Sequence, residues 1–145
     1  MPKDHIKVLF RLAQDSDDYP PVAVESVWAT RATPKGYTLD NIPFFVREAT
    51  FGDIVEAVED GEGTWFLKLL IPSANSLLRV VLFDTTRLNE LRQHLAELGC
   101  STEWDGPHNL VAINVPEPAL LGAVQAYLLE ASKQDWLDYE EPILR

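Results

Sequence analysis

A chain of 145 residues, 46% of them hydrophobic, can enclose a real core, because a domain of about 150 residues hides roughly 70% of the surface its unfolded form exposes. Its 12 Lys and Arg against 23 Asp and Glu leave a net charge of −11. That field repels phosphate backbones and anionic lipid, so it argues against nucleic acid and membrane as partners, while it attracts basic protein surfaces.

Ile6, Val8, Phe10 and Leu12 alternate with Lys7, Leu9 and Arg11, the period of a strand with one buried face. The acidic, proline-rich turn Asp15-Ser16-Asp17-Asp18-Tyr19-Pro20-Pro21 stops it. Val22 to Arg31 is rich in β-branched residues and carries Trp28, and Pro34-Lys35-Gly36 turns it into Tyr37-Thr38-Leu39. After Gly52-Asp53 come Ile54 to Val58, the turn Glu59-Asp60-Gly61-Glu62-Gly63, and Thr64 to Ile71. Short strands joined by turns, with no helical period, predict a small antiparallel SH3-like β-barrel over residues 1–72.

The pattern changes at a polar joint, residues 73–76. Leu78 to Phe83 reads as a buried strand. Leu88, Leu91, Leu95 and Leu98 then recur at spacings of three and four, the stripe of an amphipathic helix with Asp84, Thr85 and Thr86 as cap candidates and Gly99 as its stop. Cys100 to Trp104 and Leu110 to Val115 predict two strands around Asp105-Gly106-Pro107-His108-Asn109. Pro118 suits the first turn of a second helix whose Leu121, Val124 and Leu128 share a face, and Trp136 to Glu141 closes with a short strand. The order β-α-β-β-α-β over residues 77–145 is the ferredoxin-like arrangement, making the whole chain α+β. The short joint implies that the two parts pack together.

Signals for chemistry are sparse. His5, His94 and His108 fall in separate elements and make no zinc pattern, so neither metal nor cofactor is expected. Glu90 and His94 are four apart on the first helix and face the same way, a spacing also ordinary on an exposed face. The acids Asp15, Asp17 and Asp18 lack the glycine and distal glutamate of a calcium loop and read as a solvated turn. Gly61 and Gly63 stand among Glu59, Asp60 and Glu62, which would repel a phosphate. The single cysteine, Cys100, reads as a reduced, small hydrophobic residue. Asp40, Asp53 or Glu141 could supply acid and base groups, but among 23 acids such a pairing carries no specificity. There is no apolar run long enough for a bilayer span and no secretory leader in Met1-Pro2-Lys3-Asp4-His5, which sets the expectation of a soluble cytoplasmic protein.

Two stretches combine aromatic and acidic residues. Near the carboxyl end, Trp136-Leu137-Asp138-Tyr139-Glu140-Glu141 has the mixture expected where a basic, partly apolar partner docks. It equally fits a last strand whose Leu137 and Tyr139 enter the core while the acids face water. In Asp40-Asn41-Ile42-Pro43-Phe44-Phe45 the proline fixes a turn, and the two phenylalanines point to opposite sides if extended. Gly52 permits a bend that Asp53 stabilises.

Lys7-Val8-Leu9-Phe10-Arg11-Leu12, Tyr19-Pro20-Pro21-Val22, Glu25-Ser26-Val27-Trp28-Ala29, Leu39 to Phe45 and Gly52-Asp53-Ile54-Val55 together resemble a bacterial family known as domain of unknown function 4265. Leu78-Arg79-Val80 and Leu98-Gly99-Cys100 extend the likeness over most of the chain. Ser73-Ala74-Asn75 stands where the family pattern has Ser-Gly-His, so any role of that histidine is absent here. The resemblance implies a small bacterial cytoplasmic protein, and such acidic domains look like immunity proteins that neutralise toxins. The expected function is therefore a non-enzymatic binding protein that occludes a basic toxin domain. Asp40, Asn41, Phe44, Phe45, Asp53, Trp136, Tyr139, Glu140 and Glu141 are the expected contacts. A small-molecule-binding regulatory module, with Phe44 and Phe45 as a pocket wall, is the alternative.

Overall fold

In the first strand, β1 (His5–Arg11), Val8 and Phe10 are buried while Lys7 and Arg11 face water, as the alternation requires. The structure is a computed structural model and describes residues 5–15 and 17–145; Met1 to Asp4 and Ser16 of the acidic turn lie outside the described residues. The chain is of mixed α+β class, mostly antiparallel sheet with two α-helices. It divides into two units, Met1–Ser73 and Ala74–Arg145.

The first unit continues with β2 (Val24–Arg31), β3 (Gly36–Leu39), β4 (Ile54–Asp60) and β5 (Gly63–Ile71). Successive strands pair antiparallel. A short parallel contact, Val8↔Thr64 and Leu9↔Trp65, brings β1 against β5 and closes the sheet on itself. Phe10, Val27, Ala29, Leu39 and Val55 fill the interior, where Phe10 stacks on Phe66 at 4.6 Å. The β4–β5 register slips twice, leaving Leu67 and Leu70 without an opposite residue. Those slips interrupt strict alternation along β5, so neighbouring apolar side chains emerge on its exposed surface.

The second unit holds β6 (Ser76–Leu82), α1 (Leu88–Glu97), β7 (Ser101–Asp105), β8 (Leu110–Val115), α2 (Pro118–Lys133) and β9 (Leu137–Ile143). Its sheet is antiparallel in the order β7-β8-β6-β9. The Asp84 side chain accepts a hydrogen bond from the Thr86 N–H and starts a short 3₁₀ turn, Thr85–Arg87, that leads into α1. Gly99, at φ 94°, ends it in a conformation that other residues resist. Leu91 and Leu95 of α1 and Val124 and Leu128 of α2 pack on Leu78, Val80 and Leu82 of β6. Leu77 and Arg79 alternate to the other face of β6 and are buried as well.

Candidate partner-binding surface

The loop from Asp40 to Asp53 follows β3, and side chains give it the hydrogen bonds that a strand partner would otherwise supply. Asn41 Oδ1 accepts the Trp28 N–H at 2.6 Å. The Glu25 carboxylate, projecting from β2, accepts three successive N–H groups: Phe44 at 2.6 Å, Phe45 at 2.8 Å and Val46 at 3.0 Å. A carboxylate suits this place because its two oxygens can take several donors at once. At the loop's end Gly52, at φ 83°, makes the bend, and Asp53 accepts the Thr50 N–H at 3.0 Å and the Ser73 N–H at 2.8 Å. The Ser73 hydroxyl lies 2.7 Å from Asp53 Oδ1 and 3.1 Å from the Phe51 carbonyl oxygen.

This geometry assigns the five residues singled out in the loop to different tasks. Asp53 is 0% exposed and turned inward, where it presents no docking charge. Its energetic reason is local: a buried carboxylate is tolerable when several donors surround it. Phe45 is buried, edge-on to Tyr19 at 6.1 Å, while Phe44 is half-buried. Asn41 is engaged with β2. Asp40 is exposed, and its Oδ2 lies 3.4 Å from His5 Nε2; the His5 ring in turn sits 4.7 Å from Trp28, over which the Lys7 ammonium is poised at 5.0 Å.

In the second unit the carboxyl-terminal strand follows its core reading. Trp136 is only 5% exposed and belongs to the core, with the Arg87 guanidinium 3.9 Å from its ring. Leu137 is buried and Tyr139 packs half-buried against the same core. Glu140 lies 3.4 Å from Nη1 of the buried Arg79. Asp138 and Glu141 are exposed, and Glu141 accepts a hydrogen bond from Gln125 Nε2 at 2.5 Å. The expected aromatic anchor Trp136 is thus withdrawn from the surface, because the apolar positions of β9 face the helices. The acids remain outside.

Glu90 and His94 do not pair as their spacing allows. Glu90 takes Arg87 at 2.6 Å, and His94 stacks on Tyr127 with ring centres 3.9 Å apart. Glu90, His94 and Tyr127, together with Gln93 and Glu97, line an open cleft of about 310 Å³. The Tyr127 hydroxyl is buried there without a hydrogen-bond partner. Burial, then the nearby Glu90 charge, raise the Tyr127 phenol above its usual range, and Arg87 opposes them. His108 Nδ1 lies 2.7 Å from Asp105 Oδ2. Burial pushes the Cys100 thiol up to about 11, which keeps it protonated and unreactive at neutral pH. Among the described residues no three His, Cys, Asp or Glu converge as a metal site, and no helix is long and apolar enough to cross a membrane.

Sequence patterning misses Glu25, Ser73 and Arg79 as organising residues. Glu25 occupies an ordinary place in a strand, and its partners lie 19 to 21 positions away. Arg79 is a charge within an apolar run, the one local hint that it is buried.

The family model for the domain of unknown function DUF4265 matches residues 25–139. The chain belongs to this family. The matched span of DUF4265 contains Glu25, Asn41, Asp53, Ser73 and Arg79, the residues that organise the loop and the central strand. The structure is similar to one described as the "Novel crystal structure of a hypothetical protein from Neisseria gonorrhoeae". The TM-score is 0.82 at 19% identity, covering 97% of this chain and 95% of the other, a likeness of fold. No curated protein matches the chain.

Proposed function

We propose that this DUF4265 protein is a non-enzymatic binding protein of the bacterial cytoplasm that recognises a basic protein, and that it acts as an immunity protein covering the active cleft of a toxin domain. The observation that carries this reading is the division of labour among its carboxylates. Glu25 and Asp53 are consumed inside the fold, yet the net charge of −11 leaves a strong surplus for the surface, where Asp40, Asp138 and Glu141 are exposed. Surplus charge of this kind accelerates encounter with a cationic surface. We read the scaffold as an SH3-like barrel followed by a ferredoxin-like unit. The strand orders and the β-α-β-β-α-β sequence of elements support that reading.

Coexpression with the product of the neighbouring gene tests the function. Co-purification and protection of cells from that product are expected, and co-purification should weaken as salt is raised. A neighbouring product that neither binds nor harms unprotected cells would remove the immunity reading.

One observation favours a second reading, a small-molecule-binding regulatory module. The α1–α2 cleft combines an aromatic stack, the carboxylates Glu90 and Glu97, and an unanswered phenolic hydroxyl, groups suited to a compact amine. A thermal-shift screen of small cationic metabolites decides it: a saturable rise in Tm lost in Tyr127→Phe supports this module, and no rise across the screen removes it.

A further inference from the structure

We propose that the free edge of β5 between Phe66 and Ile71 is a docking site for an extended partner-protein segment that alternates basic and apolar residues. The inference rests on the reading above that the chain binds a basic protein, and it names where and how.

The first observation is an unfinished ladder. β1 meets β5 only at Thr64 and Trp65 and ends at Arg11, whereas β5 runs on to Ile71. From Phe66 onward its β4 side is paired at Phe66, Lys68, Leu69 and Ile71. Past Phe66, which stacks on Phe10 of β1, no strand among the described residues pairs with its other side, and no turn or loop backbone bonds to it up to Ile71. Such an edge presents backbone donors and acceptors at the repeat of a strand, the template on which an extended chain can add itself.

The second observation is the side chains that emerge there. Leu67, Leu70 and Ile71 are 55%, 40% and 57% exposed, and Val58 on the adjoining β4 is 51% exposed. Leu67 and Leu70 are the residues without an opposite number in the two register slips. Edges that must stay alone are usually blunted by charge. On this stretch the charge is Lys68, and its ammonium is drawn to within 4.0 Å of Glu56. A backbone template and an apolar strip in one place match the two requirements of strand addition, main-chain bonds for affinity and alternate side chains for selectivity.

The occupant follows from charge. Glu56 pairs across from Lys68, and Glu59, Asp60 and Glu62 crowd the hairpin end of the same two strands, so acids border the strip at that end. A segment bearing Lys or Arg between its apolar residues would answer that border. A second copy of this chain would bring another net −11 and the same acids to it, and repulsion opposes that pairing.

The test titrates the ¹⁵N-labelled full chain, at low salt, with a synthetic peptide alternating Val and Lys and with its Val-Glu counterpart. The Val-Lys peptide is expected to shift amide resonances of Phe66–Ile71 and to slow hydrogen exchange at alternate amides there by at least about tenfold, about 1.4 kcal/mol. The Val-Glu peptide is expected to leave them unchanged. Leu67→Lys, folded by circular dichroism, should weaken the Val-Lys peptide about tenfold; if that variant does not fold, Ile71→Lys is read instead. Binding of the Val-Lys peptide elsewhere, such as around Asp138 and Glu141, would overturn this inference and leave the acidic-binding reading standing. Absence of binding at millimolar peptide would overturn both. Concentration-dependent protection of Phe66–Ile71 without peptide would identify a second copy as the occupant and overturn it too.

Discussion

Between Asp40 and Asp53, backbone donors that no strand takes are handed to side chains. Glu25 collects those of Phe44, Phe45 and Val46, and Asp53 collects that of Thr50. From Phe66 to Ile71, one side of β5 hands its donors to no backbone group among the described residues. Both stretches belong to the same sheet-forming unit, and both mix apolar side chains with nearby acids. The difference lies in where the carboxylates point. At the loop Glu25 and Asp53 take up backbone donors and complete the fold, while Asp40 stays exposed; along the hairpin Glu59, Asp60 and Glu62 are all exposed. A dense cluster of Pro, Phe, Asn and Asp therefore marks a braced corner here, and the surface proposed for a partner lies on a strand with no motif.

The comparison breaks first at Asp53. Replacing it with Ala removes the acceptor of the buried Thr50 N–H and of the half-buried Ser73 N–H, and leaves the Ser73 hydroxyl to the Phe51 carbonyl. Each stranded donor costs about 1–3 kcal/mol, so Asp53→Ala should lower stability by about 3 kcal/mol in urea unfolding. Asp53→Asn keeps one acceptor oxygen and should cost less. Equal stability of Asp53→Ala and the parent would mean that the corner is not held by this carboxylate.

Hydrogen exchange measures the contrast directly. The amides of Phe44, Phe45 and Val46 should be protected roughly a hundredfold more than the alternate amides of Phe66–Ile71 that face away from β4. Comparable rates in the two stretches would erase the distinction. Glu25→Gln sharpens it further: the amide carries one acceptor oxygen where the carboxylate has two, so a loss of about 2 kcal/mol is expected. Faster exchange should be confined to Phe44–Val46. The Val-Lys peptide should still bind at β5, since that edge does not use Glu25.

How far the sequence carried this picture depends on the range over which each feature is decided. Alternation in Ile6–Leu12, the leucine spacing of α1 and the Gly99 stop are local and appear where patterning places them; the Asp84 cap is local too, but it serves the 3₁₀ turn before α1 rather than α1 itself. The direction of a carboxylate is decided by partners far along the chain. Asp53 meets Ser73 and Glu25 meets Phe45, each 20 positions apart. Trp136 is a similar case, since its burial depends on helices that precede it rather than on the acids that follow it. The open edge of β5 was illegible for a further reason. Thr64 to Ile71 reads as an apolar strand interrupted by Lys68, and nothing local announces the two register slips or the early end of β1.

The smallest expected effect is at the hairpin beside that edge. Asp60 Oδ1 accepts the N–H groups of Glu62 at 2.7 Å and Gly63 at 3.0 Å. The Glu62 bond, chiefly, holds the Asp60 carboxyl below its ordinary value, against a contrary push from desolvation. A carboxyl whose folded pKa is depressed stabilises the fold above its unfolded value, and that contribution is lost as pH falls through the lower, folded one. Asp60→Asn should therefore change Tm slightly at neutral pH and leave a difference from the parent that vanishes under strong acid. The exposed position keeps the effect small, because solvent screens the carboxylate. If the turn merely carries charge for solubility, the two Tm curves will run parallel through the acid range; if Asp60 fixes the hairpin that presents β5, they will converge, and Asp60→Asn will also loosen the Val-Lys peptide at Phe66–Ile71.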